Sequence, residues 1–392
     1  MPDSMARLPE LVPPPVELSE RTAALRSEVR QFLAEERAAG VWRPRVDTWL
    51  AGWDERFTKE LARRGWLGMT VPTEYGGHGR GALERYVVTE ELLAAGAPVA
   101  AHWIADRQIA PSLLRFGTEE QCRRYLPGIA AGEVYFGIGM SEPDSGSDLA
   151  SVRSKADKVD GGWELTGTKV WTSGAHHARA FFALVRTAPK DDRNRHAGLS
   201  QLIVELDSQG VTVRPIPLLT GAHHFNEVVF DKVFVPDEMV LGEIGQGWRQ
   251  VTSELAFERS GPERYLSTFP LLVSLLGELA GTDLDAGRRR QLGRLVARYW
   301  TLRRMSLAIA GALDAGLAPE QAAAVVKDLG TRFENEVIDA ARLLLSTPPD
   351  PGAEGGFARL LADAVQHAPG FTLRGGTNEI LRGIVARGLG LR

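Results

Sequence analysis

Three short segments of this 392-residue chain carry more chemistry than packing requires. The first is Gly139-Met140-Ser141-Glu142-Pro143-Asp144-Ser145-Gly146-Ser147-Asp148. Small hydroxyl residues, glycines and acids alternate where a core strand would be apolar. Ser141, Ser145 and Ser147 can each donate and accept hydrogen bonds, and Gly146 permits close backbone approach. Such a loop can cradle a phosphorylated or heteroaromatic ligand with backbone N–H groups. The second segment is Lys169-Val170-Trp171-Thr172-Ser173-Gly174, a strand end with an aromatic beside two hydroxyls. The third is Arg374-Gly375-Gly376-Thr377-Asn378-Glu379-Ile380-Leu381-Arg382, ahead of a C-terminal helix.

The elements that must position these segments fall into three zones. The first is helical. Ser19 is a good N-cap, Leu25, Val29, Phe32 and Leu33 share one face, and Gly40 ends the segment. Helices are also expected over Asp54–Arg64, Ala82–Ala95 and Thr118–Ala130. The second zone changes period. Runs at Trp163, Phe181, Leu202, Val211 and Val228 are short and rich in β-branched and aromatic residues. No helical stretches separate them, so an antiparallel barrel or sandwich is expected. The third zone returns to helices, interrupted by a Pro- and Gly-rich loop over Ser346–Gly356. The predicted domains are a Pro-rich arm over 1–17, expected to be disordered or extended, a helical domain over 18–133, a β domain over 134–243 and a helical domain over 244–392.

Composition excludes several classes. A net charge of −4 gives no electrostatic footprint for nucleic acid. The single Cys122 rules out an internal disulfide and multi-cysteine metal sites, and reads as a buried hydrophobe. No secretory signal and no apolar run of about 20 residues is present, so a cytoplasmic setting is expected. No P-loop, HExxH or GxSxG motif occurs, and Gly245-Gln246-Gly247 is the nearest approach to GxGxxG. Neighbours in a strand face opposite ways, so His176-His177 and His223-His224 are expected to be polar loop or edge residues and not metal ligands.

Together the three segments resemble the acyl-CoA dehydrogenase family, over most of the chain. Val229–Pro236 and Gly242–Gly247 add to the resemblance. It implies an α+β fold, mostly α: an N-terminal helical domain, a central antiparallel β-barrel and a C-terminal four-helix bundle. It implies non-covalent FAD and α,β-dehydrogenation of an acyl-CoA thioester to a trans-2-enoyl-CoA. By resemblance, Met140, Ser141, Gly146, Ser147, Trp171, Thr172 and Ser173 contact or approach the flavin, with Ser173 at N5. Thr377 and Glu379 approach the phosphate and ribose of FAD. Ser147, Arg259 and Gly375 lie on the substrate side. An electron-transferring flavoprotein is the implied electron acceptor, and a homo- or hetero-oligomer the implied assembly.

In many members a catalytic Glu directly precedes the Gly-Thr pair of the last motif. Here that position is Gly375. The isovaleryl- and long-chain-type enzymes carry the base on a helix after the barrel, directly before an Arg. Glu258-Arg259 stands at that place, so Glu258 is the implied base. Pro262 cannot donate to the carbonyl of Glu258, and Glu254 lies one turn back on the same face. Glu379 is a distant second candidate. Two family segments that bind FAD across subunits are missing. Gly281–Arg290 lacks an Arg-x-x-Phe-Gly run, and Ser346–Gly356 replaces Gln-x-x-Gly-Gly. Those gaps raise two further readings, a heteromer and a non-catalytic partner subunit; a flavoprotein of the same fold acting on a carrier-bound acyl group is a third alternative that the resemblance leaves open.

Overall fold

The computed structural model describes residues 11, 13–191, 193–259 and 261–391, with the helical backbone alone for residues 254–258. Most of the expected N-terminal arm lies outside the described residues. Its distal end does not: Val16, with Leu18, packs against Tyr86, Val87, Leu307 and Ala310.

In chain order the helices are α1 (Glu20–Ala38), α2 (Thr48–Ala51), α3 (Glu55–Arg63), α4 (Ala82–Ala95), α5 (Ala100–Ile104), α6 (Ala110–Phe116), α7 (Glu119–Ala130), α8 (Gly247–Arg259), α9 (Phe269–Leu279), α10 (Ala286–Asp314), α11 (Glu320–Leu344), α12 (Gly356–Phe371) and α13 (Asn378–Gly388). The strands are β1 (Phe136–Gly139), β2 (Lys155–Val159), β3 (Gly162–Ser173), β4 (Ala180–Arg186), β5 (Leu199–Glu205), β6 (Val211–Ile216), β7 (Phe225–Pro236) and β8 (Val240–Leu241). They gather into two compact units. One holds Met1–Gly52, Arg80–Val99 and Ala256–Arg392; the other holds Trp53–Gly79 and Ala100–Leu255.

In the first unit helix starts follow their caps. The Ser19 side chain accepts from Thr22 N at the head of α1, and Leu25, Val29, Phe32 and Leu33 are buried. Gly40 follows at φ +70°, a left-handed stop that glycine adopts without strain. Helix α4 packs on α1 and α10, and α11 packs against α9, α10, α12 and α13. Helix α8 ends at Arg259, and Pro262 opens a 3-10 turn.

The second unit is built on a sheet of order β6-β7-β3-β2-β4-β5-β8, with β1 beside β4. Phe136, Phe181, Phe182, Leu202, Ile203 and Phe230 fill its core with side chains of α6 and α7. Pairings β2–β3, β3–β7, β4–β5, β5–β8 and β6–β7 are antiparallel as expected. The sheet is nonetheless mixed, because β1 and β2 run parallel to β4. The connection after β1 is the long 140–154 segment, which can return the chain without a hairpin reversal. Residue types along a strand give its existence and its faces, not its direction.

Candidate active site

The 139–148 segment is a braced loop. Glu142 N donates to Ser145 O at 2.8 Å and Ser145 N returns to Glu142 O at 3.1 Å, closing a tight turn. The Glu142 carboxylate turns inward. It accepts from Arg153 N at 2.6 Å, from Ser154 N at 2.9 Å and from Lys169 Nζ at 2.7 Å. Burial pushes Glu142 up, but the Lys169 charge and these donors outweigh it and hold the carboxyl below its ordinary range. Lys169 is fully buried and its ammonium also donates to Met140 O at 3.2 Å. Ser145 Oγ donates to Asp148 O. Ser141 is half-buried, whereas Gly146 and Ser147 are exposed, and a Cβ at Gly146 would meet nothing within 4 Å. Met140 packs on the cluster of Val152, Leu184, Leu199 and Val251.

The Trp171 segment forms a β-bulge. Lys169 pairs with Val228 and Thr172 with Asn226, so Val170 and Trp171 oppose the single Glu227. Trp171 sits at φ +62°, uncommon for a bulky residue, and its side chain is 56% exposed. Bulges re-aim side chains beside active sites. Here the bulge turns the indole outward, edge-on to Phe225 at 5.9 Å. Val170 N donates to Ser141 O at 3.0 Å, tying the bulge to the serine-rich loop. Met140, Ser141, Trp171 and Ser173 are thus brought into one local arrangement. Thr172 faces the other way. It is fully buried, its methyl lies 3.1 Å from a Cβ placed on Gly137, and its hydroxyl has no hydrogen-bond partner among the described residues.

The third segment lies in the other unit, and its backbone is clamped. Arg259 Nε donates to Gly375 O at 3.1 Å, and the buried Lys327 Nζ donates to Gly376 O at 2.5 Å. Gly375 and Gly376 have φ of +67° and +92°, so both are required by the turn itself. Arg374 donates to Asp47 Oδ2 at 2.6 Å and to Ser267 Oγ at 3.2 Å, and lies 4.4 Å from the Trp49 ring. Burial raises Asp47, but Arg374 and His367 hold its carboxyl well below the usual range. Thr377 caps α13, accepting from Ile380 N. Glu379 is exposed; its own N–H and the Thr377 hydroxyl hold its carboxyl below the ordinary value. The Glu258 side chain, and that of Glu254, lie outside the described residues.

Sequence reasoning missed Lys169 as a clamp, and it missed Asn226. The Asn226 carboxamide is fully buried and contacts Thr172 O, His176 and His223. The only available signal was an amide inside an otherwise apolar strand. His176 and His177 lie on a turn, in keeping with polar loop residues; the opposite-face argument for a strand does not apply there, and their rings meet at 4.0 Å. Among the described residues no group of three or more His, Cys, Asp or Glu is placed to hold a metal. Cys122 is buried, donates to Leu113 O, and burial pushes its thiol up.

These features can be set beside known proteins. Residues 19–133, 137–233 and 245–390 match the N-terminal, middle and C-terminal domains of acyl-CoA dehydrogenase. Acyl-CoA dehydrogenase FadE34 of Mycobacterium tuberculosis is 35% identical over 377 residues, covering 95% of this chain and 49% of that protein. The chain therefore spans about half the length of that relative. Acyl-CoA dehydrogenase IpdE1 of the same organism is 36% identical over 351 residues, covering 86% of this chain and 87% of that one. The structure described as Tcur3481-Tcur3483 steroid ACAD aligns with a TM-score of 0.82 at 29% identity, over 96% of this chain and 98% of that one. The ChsE4-ChsE5 complex from Mycobacterium tuberculosis aligns with a TM-score of 0.78 at 29% identity, over 96% and 99%. The chain belongs to the acyl-CoA dehydrogenase family, oxidoreductases that act on CH–CH bonds and bind FAD.

Proposed function

We propose that this chain removes the α-proton and the β-hydride of an acyl-CoA thioester, giving a trans-2-enoyl-CoA, with Glu258 as base. The observation that carries the reading is the Trp171 bulge bonded to the Ser141 backbone. It presents an indole, a hydroxyl at Ser173 and the Met140–Ser141 backbone together, which suits a planar heteroaromatic ring. FAD, when bound there, supplies the hydride acceptor. Met140, Ser141, Gly146, Ser147, Trp171 and Ser173 are the proposed flavin contacts. Thr172 belongs to the same segment but faces the sheet core, so its share is through the backbone. Thr377 and Glu379 are the proposed phosphate and ribose contacts. Ser147, Arg259 and Gly375 are the proposed substrate contacts.

Glu258 takes the role because Gly375 leaves the family's other base position without a carboxylate. A base at this point must draw a proton from a carbon made acidic by a polarised thioester carbonyl. Glu258→Gln keeps the size of the side chain and removes the base. We expect a variant that retains the yellow flavin spectrum and loses at least about a thousand-fold in kcat, the scale of a positioned base. Turnover within a few-fold of the parent would sink the assignment.

Gly375 and Gly376 also leave no side-chain bulk at the turn, which favours wide acyl groups. A relative described as a steroid acyl-CoA dehydrogenase points the same way. We therefore propose a branched or ring-bearing acyl-CoA as substrate and an electron-transferring flavoprotein as acceptor. Anaerobic bleaching of the flavin by acyl-CoAs of graded length, branching and ring content tests this. Equal bleaching by short straight chains would refute the preference. A second reading, one half of a heteromer, is favoured by the two missing FAD-binding segments and by the complex formed by the ChsE4-ChsE5 relative.

A further inference from the structure

Asn226 has every hydrogen-bonding group of its carboxamide engaged. Its Nδ2 lies 3.0 Å from Thr172 O and 3.0 Å from His176 Nδ1, and its Oδ1 lies 2.8 Å from His223 Nε2. An amide nitrogen has two hydrogens, and both are used. His176 Nδ1 must therefore be an acceptor, which fixes a neutral ring. His223 Nε2 must carry a hydrogen and donate. The two imidazoles stack at 4.1 Å, His176 meets His177 at 4.0 Å, and His177 stacks on Trp53 at 4.3 Å. One end of this column thus grips, through Asn226, the carbonyl that directly follows Trp171.

That carbonyl belongs to the bulge where Trp171 holds φ +62°. A left-handed conformation at a tryptophan is strained and persists only where its surroundings over-determine it. Two restraints do so here: Val170 N on Ser141 O before the indole, and Asn226 on Thr172 O after it.

We propose that Asn226 is a positioning residue for the Trp171–Ser173 bulge, and that it holds the bulge only while His176 is neutral. The proposal rests on the flavin reading of that segment and extends it. A protonated His176 would carry N–H at both ring nitrogens, so its Nδ1 would face the Asn226 amide donor to donor. The groups facing His176 are the Asn226 amide, His177 and His223, with Glu55 acting on His177. Burial first, then the charges of His177 and His223, hold His176 down to about 4. A base whose pKa is lowered in the closed arrangement binds fewer protons there than when released. The closed bulge is therefore fully favoured above the ordinary histidine value of about 6.5 and loses ground as pH falls from there through about 4.

Two measurements test this. In the chain without flavin, amide hydrogen exchange of residues 168–174 is followed by mass spectrometry for the parent, Asn226→Ala and His176→Phe. FAD affinity is then measured by titrating each flavin-free protein between pH 7.5 and 4.5. Asn226→Ala should raise exchange of the segment and weaken FAD about ten-fold at pH 7.5, the scale of one or two lost hydrogen bonds. The parent should lose affinity on acidification. His176→Phe keeps a stacking ring with nothing to titrate and should flatten that loss. Unchanged exchange in Asn226→Ala overturns the proposal, and so does an acid limb identical in His176→Phe and the parent. If Asn226→Ala misfolds, His176→Phe decides alone. A parent chain that binds no FAD either alone or co-expressed with a paralogous subunit, with exchange still raised in Asn226→Ala, refutes the flavin reading and leaves the positioning role standing.

Discussion

Lys169 shows how one residue can matter to a site without touching a ligand. Its ammonium is fully buried and bonds Glu142 and the Met140 carbonyl, so the serine-rich loop hangs from β3 through one side chain. Breaking a buried pair leaves an uncompensated charge, typically worth about 3–5 kcal/mol. Lys169→Met should destabilise the chain by about that much in urea unfolding. Glu142→Gln should cost a similar amount, because it leaves the Lys169 charge unpaired and its single amide oxygen can accept from Arg153 N–H or from Ser154 N–H but not from both. The sign with pH follows from the lowered Glu142 pKa. Its contribution is complete above about 4.5 and is lost as pH falls through the native value, so Glu142→Gln should flatten the acid limb of stability. A Glu142→Gln acid limb as steep as that of the parent would count against the pair. The string containing Lys169, Trp171 and Ser173 was legible in sequence as a site. The clamp was not, since it joins residues 27 positions apart and a lysine in a strand normally reads as solvent-facing.

At the scale of elements, two helices carry their positions in side chains that face inward. The N-terminus of α7 has a full capping box. Thr118 accepts from Gln121 N, and Gln121 Oε1 accepts from Thr118 N. Gln121 Nε2 also donates to Glu238 O and Val240 O, binding the helix to the approach of β8. Thr118→Ala should cost about 1 kcal/mol, an ordinary cap. Gln121→Ala should cost about 2–3 kcal/mol because two carbonyls lose their donor as well. Thermal or denaturant unfolding orders the two; an equal cost would deny the cross-link. In α11, Glu334 is fully buried, with Oε1 accepting from Ser267 N and Oε2 lacking a partner among the described residues. Burial raises it to about 7 despite Arg374 nearby. An acid raised in the native state stabilises below its unfolded value, near 4.5, and that gain is lost as pH rises through 7. Glu334→Gln should therefore be more stable than the parent at pH 8, by on the order of 3 kcal/mol, and nearly equal to it at pH 4.5. Helix starts at Ser19, Asp54 and Thr118 were legible because caps are local. The parallel pairing of β1 and β2 with β4 was not, because direction is set by chain path.

For the whole molecule, the order of helices, strands and helices was readable from periodicity alone, and the family from three motifs. The two-unit division was not, since each unit draws on distant stretches of sequence. The missing cross-subunit segments bear on assembly. The Gly281–Arg290 region here is the run-in to α10, with Asp285 as its cap, and Ser346–Gly356 forms the link from α11 to α12. If this chain shares its FAD sites with a paralogous subunit, the chain made alone should hold less than one flavin per protomer, and co-expression with the paralogue should restore full occupancy. Light scattering after size exclusion, with flavin quantified in the same peak, measures both. A stable tetramer with one FAD per chain would exclude the heteromer.

The interleaving of the units also sets a timetable. Helices α1 and α4 are made early, yet they share a unit with α10 and α11, which leave the ribosome only after all of residues 100–255. At ordinary elongation rates that gap is on the order of ten seconds. Glu90 shows it at two ion pairs: Arg26, at 2.8 Å, is already made when Glu90 is, whereas Arg303, at 2.7 Å, is synthesised much later. Through that interval the Tyr86–Val87 face stands without Leu307 and Ala310 to cover it. A chain cut short before residue 256 holds every stretch of the second unit but keeps this apolar face of the first uncovered.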